Sequence, residues 1–168
     1  MGWLELGCPT EAAAEVERMS VFGRFHPEAM VVRWTIHARA GQWQRAGDLA
    51  RIFTKVTPNQ AGAWICLAYS LFRMNRPLEA WLQLMPQTSV FPKVSAIPYM
   101  LACFASHMGH AKETEKWLAR SAELGGPTQI PDGNFDSAAL ALLSPQQRTS
   151  KAAAKVAVAF RSGVFWPA

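Results

Sequence analysis

The sequence predicts an all-α protein built by stacking helix pairs, and three observations carry that expectation. Gly41, Asn75 and Gly109 are evenly spaced along the chain, each in a segment of the same kind: Arg39-Ala40-Gly41-Gln42-Trp43, Arg73-Met74-Asn75-Arg76-Pro77 and His107-Met108-Gly109-His110-Ala111. The same spacing links Ala46 with Ala80, Pro58 with Pro92, Leu67 with Leu101 and Ala68 with Ala102. Trp64, Leu67, Ala68 and Leu71 fall at i, i+3, i+4 and i+7, which puts large and small apolar groups on one helix face. A fixed period of roughly 20–50 residues marks a stacked array, because one helix pair cannot bury its apolar face alone.

Taken in chain order, Trp3-Leu4-Glu5-Leu6-Gly7 followed by Thr10 reads as the end of one helix, a turn, and a second helix capped by Thr10 and running to about Phe22. This partial unit, residues 1–26, is expected to cap the stack. Three full units follow over residues 27–126. In each, Gly or Asn takes the left-handed conformation that closes the first helix, and Pro58 or Pro92 stops the second and resets the chain. Ala46 and Ala80 let the second helix approach closely, whereas the third unit has Thr114 at that position. Pro98 is compatible with a helix only in its first turn. From Gly125 the composition changes: Gly125-Gly126-Pro127 and Pro131-Asp132-Gly133 mark loops, and helical candidates follow near residues 135–143 and 150–161. Residues 127–168 therefore form a C-terminal loop with capping or tail helices.

These residues resemble the tetratricopeptide repeat, whose pattern runs W-x2-L-G-x2-Y, then A-x3-F, then P over roughly 34 residues. The second unit is most similar, with Trp64, Leu67, Ala68 for glycine, Leu71 for the aromatic, Ala80 and Pro92. The first keeps Gly41, Ala46 and Pro58 but has Met30 at the tryptophan position and Trp34 at the small one, so its packing is expected to be locally atypical. The third keeps Leu101, Ala102 and Gly109 and has Pro98 where tryptophan is expected. The resemblance, to a bacterial-type member of the family, spans roughly residues 3–124. It implies a right-handed α-solenoid of about three tetratricopeptide-like helix pairs with capping helices, working as a non-catalytic protein-interaction module.

Composition narrows the function. The net charge of +5 resides mostly in residues 144–168, where Arg148, Lys151, Lys155 and Arg161 meet no acid. Removing those four from the 17 Lys and Arg leaves 13 basic side chains against all 12 Asp and Glu in the rest of the chain. A nearly neutral body argues against a nucleic-acid partner. No apolar run reaches the roughly 18 residues of a transmembrane helix, and the first ten residues lack the pattern of a signal peptide, so a cytoplasmic location is expected. Cys8, Cys66 and Cys103, odd in number and without paired spacing, fit buried thiols. Glycine-rich phosphate loops, the Gly-x-Ser-x-Gly elbow, His-Glu-x-x-His and Cys-x-x-Cys are all missing from the sequence. His107 and His110 are expected to flank a turn in solvent rather than bind metal, and His26 and His37 have no evident carboxylate partner. Asp48, Glu79, Glu113 and Glu115 are expected to face solvent on second helices. No catalytic residue, cofactor or metal is expected. Trp43, Trp64, Trp81 and Trp117 read as core filling, whereas Trp34 and Trp166 are less constrained.

Carrying the family's groove positions onto this chain implies Val31, Thr35, Ala38 and Arg39, then Ile65, Tyr69, Phe72 and Arg73, then Tyr99, Cys103, Ser106 and His107. Thr35, Arg39, Tyr69, Phe72, Arg73, Tyr99 and His107 are the expected peptide-binding set. Arg39, Arg73 and His107 would form a basic column suited to a peptide or protein with an acidic or carboxylate feature. The helix dipole alone also favours a basic residue there, since each stands just before its turn. The Lys and Asn pattern of the family's carboxylate clamp is missing. For the basic, apolar segment from Lys151 to Trp166, three roles stay open: capping the third unit, lying on an anionic membrane or nucleic acid, or occupying the groove of its own chain or a second copy. A homo-oligomer or structural subunit assembled through its ends is the alternative function.

Overall fold

The computed structural model describes residues 25–130 without a break, together with Ala14, Arg18, Ser20 and Gly23. Of the expected N-terminal helix pair, Ala14 and Arg18 are described and helical, and the helical candidates at residues 135–143 and 150–161, Cys8 and Trp166 lie outside the described residues. Every regular element described is helical: α1 (Pro27–Arg39), α2 (Trp43–Val56), α3 (Ala61–Arg73), α4 (Pro77–Leu84), the single turn α5 (Gln87–Val90), α6 (Ala96–His107) and α7 (Ala111–Glu123).

The spacing that recurs in the sequence is a spacing of helix closures. Gly41, Asn75 and Gly109 have φ of +68°, +59° and +77°, the left-handed conformation expected of them. After α1, the Gly41 N–H donates to the Ala38 carbonyl (3.0 Å) and the Gln42 N–H to the His37 carbonyl (2.9 Å). The pattern recurs after α3, from Asn75 to Phe72 (2.9 Å) and Arg76 to Leu71 (3.0 Å), and after α6, from Gly109 to Ser106 (3.0 Å) and His110 to Ala105 (2.9 Å). This paired closure satisfies carbonyls that the last helical turn leaves open and reverses the chain in three residues. Each first helix therefore packs on the helix that follows it, α1 on α2, α3 on α4 and α6 on α7. Gly125, φ +72°, closes α7 in the same way, a use that its reading as a loop marker missed.

The prolines behave less uniformly. α2 ends at Val56, two residues before Pro58, as expected, but α4 ends at Leu84 and Pro92 follows only the short α5. Pro86 is the cause, because it has no N–H to offer the Leu82 carbonyl and so breaks the ladder well before Pro92. Pro98 stands in the first turn of α6, where its missing donor costs nothing.

Packing follows the apolar pattern. Leu67, Ala68 and Leu71 are buried with Trp64 half-buried beside them, and Ala46 and Ala80 are fully buried on the second helices. Helix α3 is the hub, touching α1, α2, α4 and α6. Trp34, expected to be weakly constrained, is instead among the largest fully buried side chains. Its indole Nε1 donates to Ser70 Oγ at 2.9 Å, and Ser70 in turn donates to the Cys66 carbonyl at 2.8 Å. On α2, Gly47 packs against α3 and the turn after it, where a Cβ would stand 3.2 Å from Met74 Cε.

A Cβ on Gly41 or Gly109 would meet nothing within 4 Å, so Gly41→Ala and Gly109→Ala should each cost only the left-handed backbone penalty, about 1 kcal/mol. Gly126→Ala should cost more despite its unremarkable φ, about 1–3 kcal/mol, since its Cβ would fall 2.8 Å from Ser95 Cβ and 3.1 Å from the Ser121 carbonyl. Urea unfolding of the three variants checks the ranking.

Candidate functional site

Because α1, α3 and α6 close identically, the residues two positions before the left-handed residue occupy equivalent places: Arg39, Arg73 and His107, each in the last turn of its helix. The column exists as a register, but its members have different surroundings. Arg39 is exposed. Arg73 is half-buried, its guanidinium carbon 4.4 Å from the centre of the Trp43 ring, a planar cation laid on an aromatic face. His107 is exposed, with its ring edge-on to Phe72 at 5.1 Å. Phe72, half-buried, stacks on Phe104 at 5.1 Å.

Three members of the expected binding set belong to the interior. Thr35 is fully buried and its hydroxyl donates to the Val31 carbonyl at 2.8 Å. Tyr69 is buried between Trp34, at 6.0 Å, and Trp43, edge-on at 5.6 Å. Tyr99 is fully buried as well. For Tyr69 and Tyr99 the reason is that α3 and α6 are apolar around most of their circumference, so positions away from the main core are covered as well. What remains accessible of the set is Arg39, His107 and parts of Phe72 and Arg73.

Tyr99 and Cys103 stand four residues apart, one helical turn, on α6. Burial pushes the Tyr99 phenol far above its usual range, and the neighbouring Cys103 thiol adds to the shift. Burial likewise raises the Cys103 thiol, to about 12, and the Cys66 thiol further still. Thiols held this firmly in the neutral form are poor nucleophiles. Both are free and buried, as expected for Cys66 and Cys103.

Four acidic side chains are engaged on the surface, whereas Glu28 Oε1 is buried without a hydrogen-bond partner among the described residues. Asp48 pairs with Arg51 (2.7 Å), Glu79 with Arg76 through two bonds of 2.6 Å, Glu113 with Lys116 (3.3 Å) and Glu123 with Arg120 (2.7 Å). Glu113 is half-buried and also accepts from Trp117 Nε1 at 3.0 Å. His37 is partnered by Gln42 Oε1 at 2.9 Å, and His107 and His110 flank the α6–α7 turn. Among the described residues no three His, Cys, Asp or Glu side chains gather as a metal site, and no helix is long and apolar enough to cross a membrane.

One surface escaped the sequence reading. Leu78, Leu82 and Met85 fall at i, i+4 and i+7 along α4 and its end, and are exposed, Leu78 and Leu82 at 60%. The signal was the register itself: one repeat earlier stand Gln44, Asp48 and Arg51, and one repeat later Lys112, Lys116 and Ala119, so only the middle unit is apolar there throughout. The Arg73–Trp43 contact had no such signal, because the places equivalent to Trp43 hold Pro77 and Ala111.

No protein-family model matches the chain, and no curated protein matches it in sequence.

The raised thiols fix a pH dependence. Each folded-state pKa lies above the unfolded value near 8.5, so stability is full below about pH 8 and falls above it as the unfolded chain sheds protons first. Between pH 9 and 11 the loss should approach about 1.4 kcal/mol per pH unit for each buried thiol. Urea midpoints across that range should fall less steeply in Cys66→Ala than in the wild type.

Proposed function

We propose that this chain is a non-catalytic protein-interaction module of the tetratricopeptide-repeat kind, a right-handed α-solenoid of about three helix pairs. It takes a peptide or partner protein along the edge formed by the ends of its first helices. The observation that carries the reading is the recurrence of one closure at Gly41, Asn75 and Gly109, with Arg39, Arg73 and His107 each two residues ahead of it. Three equivalent positions supply up to three cationic groups along one edge, and the Arg73 guanidinium is held in a fixed orientation over Trp43. The half-buried Phe72 ring beside His107 adds apolar contact area. An acidic peptide or a free C-terminal carboxylate matches that surface. Thr35, Tyr69 and Tyr99 then act as the packed floor that holds these groups, without touching the ligand.

The test is fluorescence anisotropy against a library of acidic peptides with free C-termini. Arg39→Glu with Arg73→Glu should weaken any bound sequence at least tenfold while far-UV circular dichroism stays unchanged. Equal affinity in wild type and variant would remove the edge as the binding surface.

A second reading, assembly as an oligomeric or structural subunit, is favoured by the exposed Leu78, Leu82 and Met85 stripe, an apolar patch of the sort that interfaces cover. On that reading Leu78→Glu with Leu82→Glu lowers the mass measured by light scattering to that of a monomer, whereas the Arg39 and Arg73 variant leaves it unchanged.

A further inference from the structure

The large apolar side chains left outside the core share one side of the protein. Among the described residues seven are exposed, and six of them belong to second helices or their ends: Ile52 and Val56 on α2, Leu78, Leu82 and Met85 on α4 and just beyond it, and Val90 at the end of α5. The first helices α1, α3 and α6 expose none. Ala46, Ala50, Phe53, Ala80 and Leu84 are buried where α2 and α4 meet the first helices, so the exposed set lies on the opposite side of the second helices. Leu78, Leu82 and Val90 each leave more than half of their surface in water, an unfavourable exposure that contact with an apolar phase removes.

Charge on the same helices is uneven. Asp48, Glu79, Glu113 and Glu123 are each cancelled by the arginine or lysine paired with them. Lys55 stands beside Val56, Lys93 follows Val90 by one turn's length of chain, and Lys112 holds the place of Leu78 one repeat later. All three are exposed and meet no acid among the described residues, whereas Glu115 is the acid of these helices left uncompensated. The surface is therefore aliphatic with a cationic surplus.

These two properties select the partner. A second copy docked through this side would set Lys55, Lys93 and Lys112 against cations of its own kind, and like charges oppose association. Any protein partner would draw its affinity mainly from Leu and Val, four of the six exposed groups, which seldom dominate protein interfaces. A lipid interface makes neither demand, because headgroups part around single aliphatic side chains and anionic headgroups attract lysine. No described helix is long and apolar enough to cross a membrane, so these residues can meet a bilayer only at its surface.

We propose that the outer side of the second helices, centred on Leu78, Leu82, Met85 and Val90, rests on an anionic lipid surface. The aliphatic groups enter the headgroup region, and Lys55, Lys93 and Lys112 pair with lipid phosphates. The proposal does not rest on the peptide-binding reading, and it assigns to lipid the side chains that assembly would otherwise cover. It uses residues of the helix pairs alone and not the basic stretch around Lys151 and Lys155.

The test is sedimentation of the full chain with sucrose-loaded vesicles, either of phosphatidylcholine alone or of phosphatidylcholine mixed with phosphatidylglycerol. The wild type should bind the mixed vesicles at least about tenfold more tightly than the neutral ones. Leu78→Ser with Leu82→Ser should weaken binding to the mixed vesicles at least about tenfold, and Lys55→Glu with Lys93→Glu should abolish the preference for them. Lys151→Glu with Lys155→Glu should leave the part that depends on Leu78 and Leu82 in place. Failure of the wild type to bind mixed vesicles, unchanged binding in the serine variant, or loss in the Lys151 and Lys155 variant alone overturns the proposal. A vesicle-free mass above the monomer that the serine variant returns to the monomer also overturns it, by assigning this side to a second copy. If circular dichroism shows that the serine pair disturbs the fold, Val90→Ser is read in its place: weaker binding there supports the lipid contact, and equal binding overturns it.

Discussion

A residue in the left-handed conformation at each of Gly41, Asn75 and Gly109 fixes where a first helix stops and how few residues separate it from the next, and the rest of the described region depends on that geometry. The closure is a backbone device: at Gly41 and Gly109 no side chain stands near enough to demand glycine, and the cost of a Cβ would be conformational only. Because the chain reverses within three residues, the second helix must lie against the first, and contact at that distance favours a small residue where they cross, Ala46 in one pair and Ala80 in the next. Asn75 serves in place of glycine because its short polar side chain tolerates the same φ.

This is why the helix pairs were legible in the sequence and much of their packing was not. A closing glycine or asparagine acts through its own dihedral angles, so its position can be read without knowing what surrounds it. Trp34 is the opposite case. Its indole is held by Ser70, on the second helix after it, which gives no local sign that it receives an N–H from a distant tryptophan. Pro86 could be read as a helix breaker, yet the repeat register drew attention to Pro92, which stops only a single turn. The burial of Thr35, Tyr69 and Tyr99 has the same origin: register specifies a direction from the helix axis and not what lies in that direction.

Equivalence of backbone therefore does not carry equivalence of surface. Arg39, Arg73 and His107 share one place relative to their closures, yet Arg73 lies on the Trp43 ring and His107 stands edge-on to Phe72, and the places equivalent to Trp43 in the later pairs hold Pro77 and Ala111. Under the proposed reading this makes the edge directional. A fixed, stacked guanidinium next to an imidazole at the edge of Phe72 distinguishes one end of a bound peptide from the other, which a uniform row of cations would not do.

The apolar character of α6 sets a second limit on function. Tyr99 and Cys103 lie a helical turn apart on the face that the family pattern would give to a ligand, and both are held neutral by burial. A peptide reaching them would first have to displace whatever covers them and would then face a phenol and a thiol that offer no charge. Arg39, Arg73 and His107, at the helix ends, need no such displacement. On the proposed reading, recognition is therefore an electrostatic event at the helix ends, over a core that stays closed.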